Sequence, residues 1–85
     1  MDLKARFETA VGESKQLSEK PSNDILLQLY SLFKQATEGD ASGDPPSNPF
    51  DIVNRAKYEA WILQRGKTSE EAMKAYVDLV ARLKE

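Results

Sequence analysis

Apolar residues form two neighbouring stripes along a helix predicted for residues 22–37. With a step of about 100° per residue, the first stripe consists of Ile25, Leu29, Leu32 and Ala36. The second stripe consists of Leu26, Tyr30 and Phe33, with Lys34 on its edge. Together the apolar positions cover roughly 220° of the helix, about twice the stripe that one core requires. We therefore expect either a helix buried nearly all round, or a helix whose second stripe lines something other than the core.

The rest of the chain predicts three further helices and one long connection. A helical face runs from about residue 3 to 15, and Pro21 then disfavours helix at Lys20. Ser22 or Asn23 can cap the second helix. Residues 38–48 are rich in Gly, Asp, Ser and Pro, and they predict a loop longer than most helix connections. A connection of this length does not require the helices on either side of it to be antiparallel neighbours.

The ends of the last two helices carry recognisable capping signals. Asn48 and Pro49 are typical of an N-cap followed by proline at the first helical position. One side of this third helix is apolar and consists of Ile52, Val53, Ala56, Ala60 and Leu63. Gly66 is predicted at C′ of that helix, with Arg65 in its last turn. Thr68 and Glu71 form a capping box that opens the last helix, which runs to about Leu83.

Composition limits the class of protein. At 85 residues the chain predicts one domain, spanning residues 1–85. Its start, MDLKARFETA, lacks the apolar core of a signal peptide, and no apolar run is long enough to span a membrane. Cysteine is absent, as is common in reducing compartments, so we expect a cytoplasmic protein. The net charge of −2 argues against nucleic-acid binding, although a local basic patch could still hold a phosphate.

The chain contains neither histidine nor cysteine. The usual general base near neutral pH and the usual thiol nucleophile are therefore both missing. We expect a protein that is not an enzyme, with no catalytic residues, no metal site and no cofactor.

Two clusters combine aromatic and basic residues. In the first, Tyr30, Phe33 and Lys34 lie within about one helical turn. They are either a buried aromatic pair beside a solvated lysine, or a stacking surface with a cation that binds phosphate. The second cluster consists of Arg55, Lys57, Tyr58 and Trp61. It is either an aromatic contact with the bundle whose cations reach solvent, or the other half of a ligand site.

Three motifs in order, LYSLFKQATEGD, NRAKYEAW and SEEAMKAYVDLVARL, resemble the acyl-CoA-binding protein family from about Phe7 to Leu83. The resemblance implies an all-α, up-down-down-up four-helix bundle with a long loop between helices 2 and 3. It also implies a third helix that begins a few residues after Asn48. The chain departs from the usual family pattern at Phe33 and Tyr58, where the family has a tyrosine and a tryptophan. It departs again at Val53, where many members have a lysine that helps to bind.

The resemblance implies a set of ligand-binding residues. Tyr30, Phe33 and Lys34 match positions that contact the adenine ring and the 3′-phosphate of coenzyme A, and Lys57 matches a phosphate ligand. Trp61 matches a core residue. The full set that we expect to contact acyl-CoA is Lys15, Leu27, Tyr30, Ser31, Phe33, Lys34, Arg55, Lys57 and Tyr76. Leu26 and Leu27 would take part of the acyl chain.

The function implied is binding of long-chain acyl-CoA esters by an intracellular carrier that also maintains their pool. We expect a monomer with no nucleic-acid partner and no stable insertion into membranes, in transient contact with acyl-CoA-using enzymes. An alternative is a helical interaction module whose second stripe on helix 2 docks a partner helix. A third interpretation is an accessory domain of an enzyme.

Overall fold

Four α-helices make up the computed structural model, which describes residues 2–84. They are α1 (Leu3–Ser14), α2 (Asn23–Glu38), α3 (Ile52–Leu63) and α4 (Ser69–Leu83). No strand occurs within these described residues, and none of their helices is long and apolar enough to cross a membrane. The predicted all-α, four-helix architecture with a long connection after the second helix is confirmed.

Each helix begins at a polar side chain that accepts a hydrogen bond from a backbone N–H three residues later. The N-caps are Asp2, Ser22, Asp51 and Thr68. The predicted capping box is present, because Glu71 also accepts from the Thr68 N–H at 2.9 Å. These bonds satisfy N–H groups that have no partner inside the helix.

Two predicted boundaries of α3 need correction. Asn48 is not the N-cap, because its Oδ1 accepts from the Phe50 N–H in a turn and Asp51 caps the helix instead. The later start implied by the family resemblance is confirmed. At the other end, helix geometry stops at Leu63 and Gln64 is the C-cap. Gly66, at φ +97°, therefore lies two residues after the C-cap, and Arg65 is outside the last turn.

The helices are ordered up-down-down-up. Helices α2 and α3 are parallel, because Lys57 lies over Tyr30 while Trp61, further along α3, lies beside Lys34. Helices α1 and α4 are also parallel, since Phe7 contacts Tyr76 near their middles and Glu13 pairs with Lys84 at 2.6 Å near their ends. Helix α2 packs between α3 and α4, and it is antiparallel to α4, because Gln35 near its end donates to the Lys67 carbonyl just before α4 begins. This arrangement confirms the predicted topology.

The core lies between α1, α2 and α4. Its buried residues are Phe7, Ala10, Leu29, Leu32, Ala36, Ala72, Tyr76, Leu79 and Val80. Most of the first stripe of α2 is therefore in the core. In the second stripe, Leu26 and Tyr30 are half-buried and Phe33 is exposed. Of the two alternatives for α2, the structure thus has the one in which the second stripe lies outside the core.

The apolar side predicted for α3 does not enter this core. Ile52 is 74% exposed and Leu63 is 81% exposed. Helix α3 packs against α2 alone among the helices, and its one buried residue is Trp61. Since no other helix covers it, the remaining apolar surface at the start of α3 is left to line a groove.

Candidate functional site

An apolar groove separates the first halves of α2 and α3. Its volume is about 350 Å³, within the range of small-molecule sites. The lining residues are Asn23, Leu26, Leu27, Tyr30, Ile52, Val53, Ala56 and Lys57. The groove is open because α3 packs against α2 alone among the helices, so no third helix fills it. We call this surface the apolar groove.

A second cleft continues from the apolar groove towards the long loop. Its volume is about 330 Å³, and its lining residues are Tyr30, Lys34, Ser42, Asp44, Pro46, Asn54, Lys57, Tyr58 and Trp61. We call it the basic cleft. Tyr30 and Lys57 line both cavities, so an apolar surface and a pair of cations meet at these two residues.

Aromatic rings hold both lysines of the basic cleft. The Lys34 Nζ lies 4.8 Å from the Trp61 ring centroid, and the Lys57 Nζ lies 5.3 Å from the Tyr30 centroid. Both distances are within the range of cation–π attraction. Lys34 also forms an ion pair with Glu38, one turn later on α2. The positive charges are thus positioned before any anion arrives.

Side chains of α3 and of the turn that follows it fix the loop that forms the far wall of the basic cleft. The Trp61 Nε1–H donates to the Gly39 carbonyl at 2.8 Å, and the Tyr58 hydroxyl donates to the Gly43 carbonyl at 2.9 Å. A third bond runs from the Arg65 guanidinium to the Ala41 carbonyl, at 3.2 Å. A loop without regular secondary structure is therefore held in one position by donors from α3 and from the turn that follows it.

A polar junction anchors the start of the same loop. The Asp40 carboxylate accepts from the Gly66 N–H at 2.9 Å and from the Gln35 side chain at 2.8 Å. The hydrogen bond from Gly66 lowers the pKa of Asp40 most, followed by the bond from Gln35, and the nearby charge of Arg65 adds to them. At the start of α4, the backbone and hydroxyl of Thr68 lower the pKa of Glu71. Both carboxylates serve to join or cap elements, and neither lines the two cavities.

The structure brings together four of the nine residues expected at the site. Leu27, Tyr30, Lys34 and Lys57 line the apolar groove, the basic cleft or both. Val53, singled out for its departure from the family, lies on the wall of the apolar groove. Tyr58 and Trp61, from the second cluster, line the basic cleft.

The other five lie outside these two cavities. Ser31 is buried, and its hydroxyl donates to the Gln28 carbonyl and accepts from Gln64. Tyr76 is in the core, and its hydroxyl donates to Ser14 at 3.0 Å. Lys15 and Arg55 are exposed.

Phe33 faces a different surface from Tyr30. Its ring stacks on Phe7 at a centroid distance of 6.0 Å. It lines a groove of about 540 Å³ formed by α1, α2 and α4, which neither Lys34 nor Lys57 lines. The expected contacts of Lys15, Ser31, Phe33, Arg55 and Tyr76 with a ligand stay predictions.

Sequence reasoning missed part of the cleft wall. Ser42, Asp44 and Pro46 come from the loop, and Asn54 comes from the first turn of α3. The composition of residues 38–48 indicated only that a loop is present. Its position against α3 depends on hydrogen bonds to carbonyl groups, which leave no signal in the sequence of the loop itself.

A four-helix domain with an apolar groove that opens into a basic cleft defines a class of protein that binds amphipathic anions. The family described as "Acyl CoA binding protein" matches residues 4–80. The chain is 47% identical over 77 residues to "Acyl-CoA-binding protein homolog 1" of Caenorhabditis elegans, covering 91% of this chain and 88% of that protein. The crystal structure of Oryza sativa Acyl-CoA-Binding Protein 2 superposes with a TM-score of 0.91 at 38% identity, covering 96% and 90% of the two chains. The chain belongs to the acyl-CoA-binding protein family, as its motifs indicated.

One relative places the same kind of domain in a longer chain. "Enoyl-CoA delta isomerase 2" of Rattus norvegicus is 44% identical over 77 residues, which cover 91% of this chain and only 19% of the isomerase. The worm relative, which the chain covers almost throughout, is named as a binding protein. Membership of the family therefore indicates binding rather than catalysis. Among the described residues, no group of three or more acidic, His or Cys side chains could hold a metal ion.

Proposed function

We propose that this chain binds long-chain acyl-CoA esters as a single domain and carries them within the cytoplasm, where it also maintains their pool. One observation supports this most directly. The apolar groove and the basic cleft share Tyr30 and Lys57, so one ligand can place its acyl chain in the first and its nucleotide phosphates in the second.

The two ends of an acyl-CoA ester would be held by different interactions, apolar burial at the acyl chain and hydrogen bonds at the phosphates. Each acyl methylene removed from water in the apolar groove contributes about 0.8 kcal/mol. In the basic cleft, each charge-assisted hydrogen bond from Lys34 or Lys57 to a phosphate contributes about 1.5–3 kcal/mol. The ring of Tyr30, half-buried between them, offers a face on which the adenine can stack. The apolar contribution is common to any long acyl chain, so discrimination between a coenzyme A ester and a free fatty acid would come from the nucleotide end.

The decisive experiment is titration calorimetry with palmitoyl-CoA. We expect Lys34→Ala and Lys57→Ala each to weaken binding by about tenfold or more, which is about 1.4 kcal/mol. Lys74→Ala is the matched control, because Lys74 is an exposed lysine of α4 outside both cavities. Melting curves of all three variants should resemble that of the parent chain. If both site variants bound palmitoyl-CoA as tightly as the parent chain, Lys34 and Lys57 would not be its phosphate ligands.

Free palmitate separates a nucleotide-dependent carrier from a plain lipid carrier. It should bind far more weakly than palmitoyl-CoA, since it lacks the groups that the basic cleft holds. Comparable affinities would point to a lipid carrier instead. If the protein were a helical interaction module instead, palmitoyl-CoA would not raise its melting temperature. If the protein binds palmitoyl-CoA in its native state, the ligand raises the melting temperature.

We further propose a monomer that exchanges its ligand through transient contacts with acyl-CoA-using enzymes. The isomerase relative supports such contacts, because there a similar segment is joined to the rest of an enzyme chain.

A further inference from the structure

The two lysines of the basic cleft are held differently. Lys57 lies over the Tyr30 ring. Lys34 lies over the Trp61 ring and also has a carboxylate partner, Glu38. Before any ligand binds, one of the two cations that would hold a phosphate is thus already paired with an anion from its own helix.

Glu38 is poorly placed to stabilise that helix. It is the last residue of α2, where the helix dipole is negative at its end and disfavours an acidic side chain. The order of the pair, lysine four residues before glutamate, is also the weaker of the two orders on a helix. A residue that conflicts with two local preferences is more readily explained by the site beside it than by the stability of α2.

We propose that Glu38 is the internal counter-ion of Lys34, which an incoming phosphate must displace, and that it thereby sets the affinity and salt dependence of the basic cleft. The proposal rests on the function proposed above. It concerns regulation of the site by a residue that lines neither cavity.

The exposure of the two side chains makes such an exchange easy. The Glu38 side chain is 53% exposed, whereas that of Lys34 is 22% exposed. The carboxylate can therefore turn into water, where it is well solvated, while Lys34 stays over Trp61. A phosphate then takes the place of the carboxylate on the same ammonium group. Glu38 weakens the binding of anions without blocking it, because surface ion pairs of this kind contribute little.

The test compares coenzyme A binding by the parent chain, Glu38→Gln and Glu59→Gln. Glutamine keeps the shape of the side chain and removes the charge. Glu59 is an exposed acid of α3 that lines neither cavity, so its variant controls for the change in net charge. At low ionic strength we expect Glu38→Gln to bind coenzyme A about two- to fivefold more tightly than the parent, and Glu59→Gln to match the parent. The gain should disappear at about 1 M salt, where charges are screened beyond about 3 Å.

A second pair of variants shows whether Glu38 acts through Lys34. In a Lys34→Ala background, the additional Glu38→Gln change should give no gain in affinity. A gain that persists in this background, or one that Glu59→Gln reproduces, would overturn the proposal in favour of general charge repulsion. Equal affinities of Glu38→Gln and the parent would also overturn it. Failure of the parent chain itself to bind coenzyme A or palmitoyl-CoA would instead refute the proposed function.

Discussion

Replacing Tyr30 with leucine tests whether the two cavities accept one continuous ligand. Tyr30 lines both of them, and its ring holds Lys57 from 5.3 Å. Leucine keeps an apolar wall for the groove but removes the flat face. The variant therefore separates the contact with the nucleotide from the contact with the acyl chain.

The expected loss follows from the interactions of the ring. Stacking of a base on an aromatic side chain is worth about 1–3 kcal/mol, which corresponds to binding about five- to 160-fold weaker. The same factor should apply to coenzyme A and to palmitoyl-CoA, because the lost contact is with the part that they share. Tyr30→Phe keeps the ring and should stay within about twofold of the parent.

Calorimetric titration of the parent and both variants with both ligands provides the measurement, with melting curves as a check of folding. The reasoning would be refuted if Tyr30→Phe lost as much affinity as Tyr30→Leu, because the hydroxyl would then be the contact. If Tyr30→Leu bound palmitoyl-CoA more weakly but coenzyme A equally well, the Tyr30 ring would contact the acyl chain and not the adenine.

Two further predictions concern stability. Asp40→Asn should lower the free energy of unfolding near neutral pH. Folding lowers the pKa of Asp40 from its ordinary 3.8. The stabilisation that the Asp40 carboxylate provides is therefore complete above that pH, and it is lost as the pH falls through the lowered pKa. Urea unfolding should thus show a difference from the parent that shrinks below about pH 4, and a constant difference would contradict this origin. Val80→Ala should cost about 2–3 kcal/mol and lower the melting temperature, because Val80 is fully buried and the cavity left behind can relax only in part. A cost below about 1 kcal/mol would show that the core closes around the missing methyl groups.

Helix starts could be predicted from the sequence where the cap is chemically explicit. Thr68 and Glu71 have the spacing at which each can bond to the backbone of the other, and the structure shows both bonds. Asn48 misled the prediction because asparagine is favoured in turns as well as at caps. Its side chain bonds locally to Phe50, and the helix starts only after Asp51.

The double stripe of α2 left open whether a surface exists beside the core, and it did not show which residues would share such a surface. Periodicity placed Tyr30 and Phe33 on the same stripe, yet Tyr30 lies towards α3 and Phe33 lies towards α1. The difference arises because α2 packs between α3 and α4, and α1 lies beside α4. A stripe this wide is therefore divided between the side of α2 that faces α3 and the side that faces α1 and α4. Which helices pack against α2 decides how the stripe is divided, and the spacing of apolar residues does not indicate which helices those are.

Three carbonyl oxygens of the loop, those of Gly39, Ala41 and Gly43, accept hydrogen bonds from side chains of α3 and of the turn that follows it. These bonds involve no side chain of the loop, although Gly39 and Gly43 have φ values of 81° and 82°, which residues other than glycine rarely adopt. Mutational drift at an exposed position such as Ser42 can therefore change the chemistry of the cleft wall while its shape persists. The backbone of this wall is thus held by residues outside it, whereas its surface chemistry depends on exposed loop side chains such as Ser42.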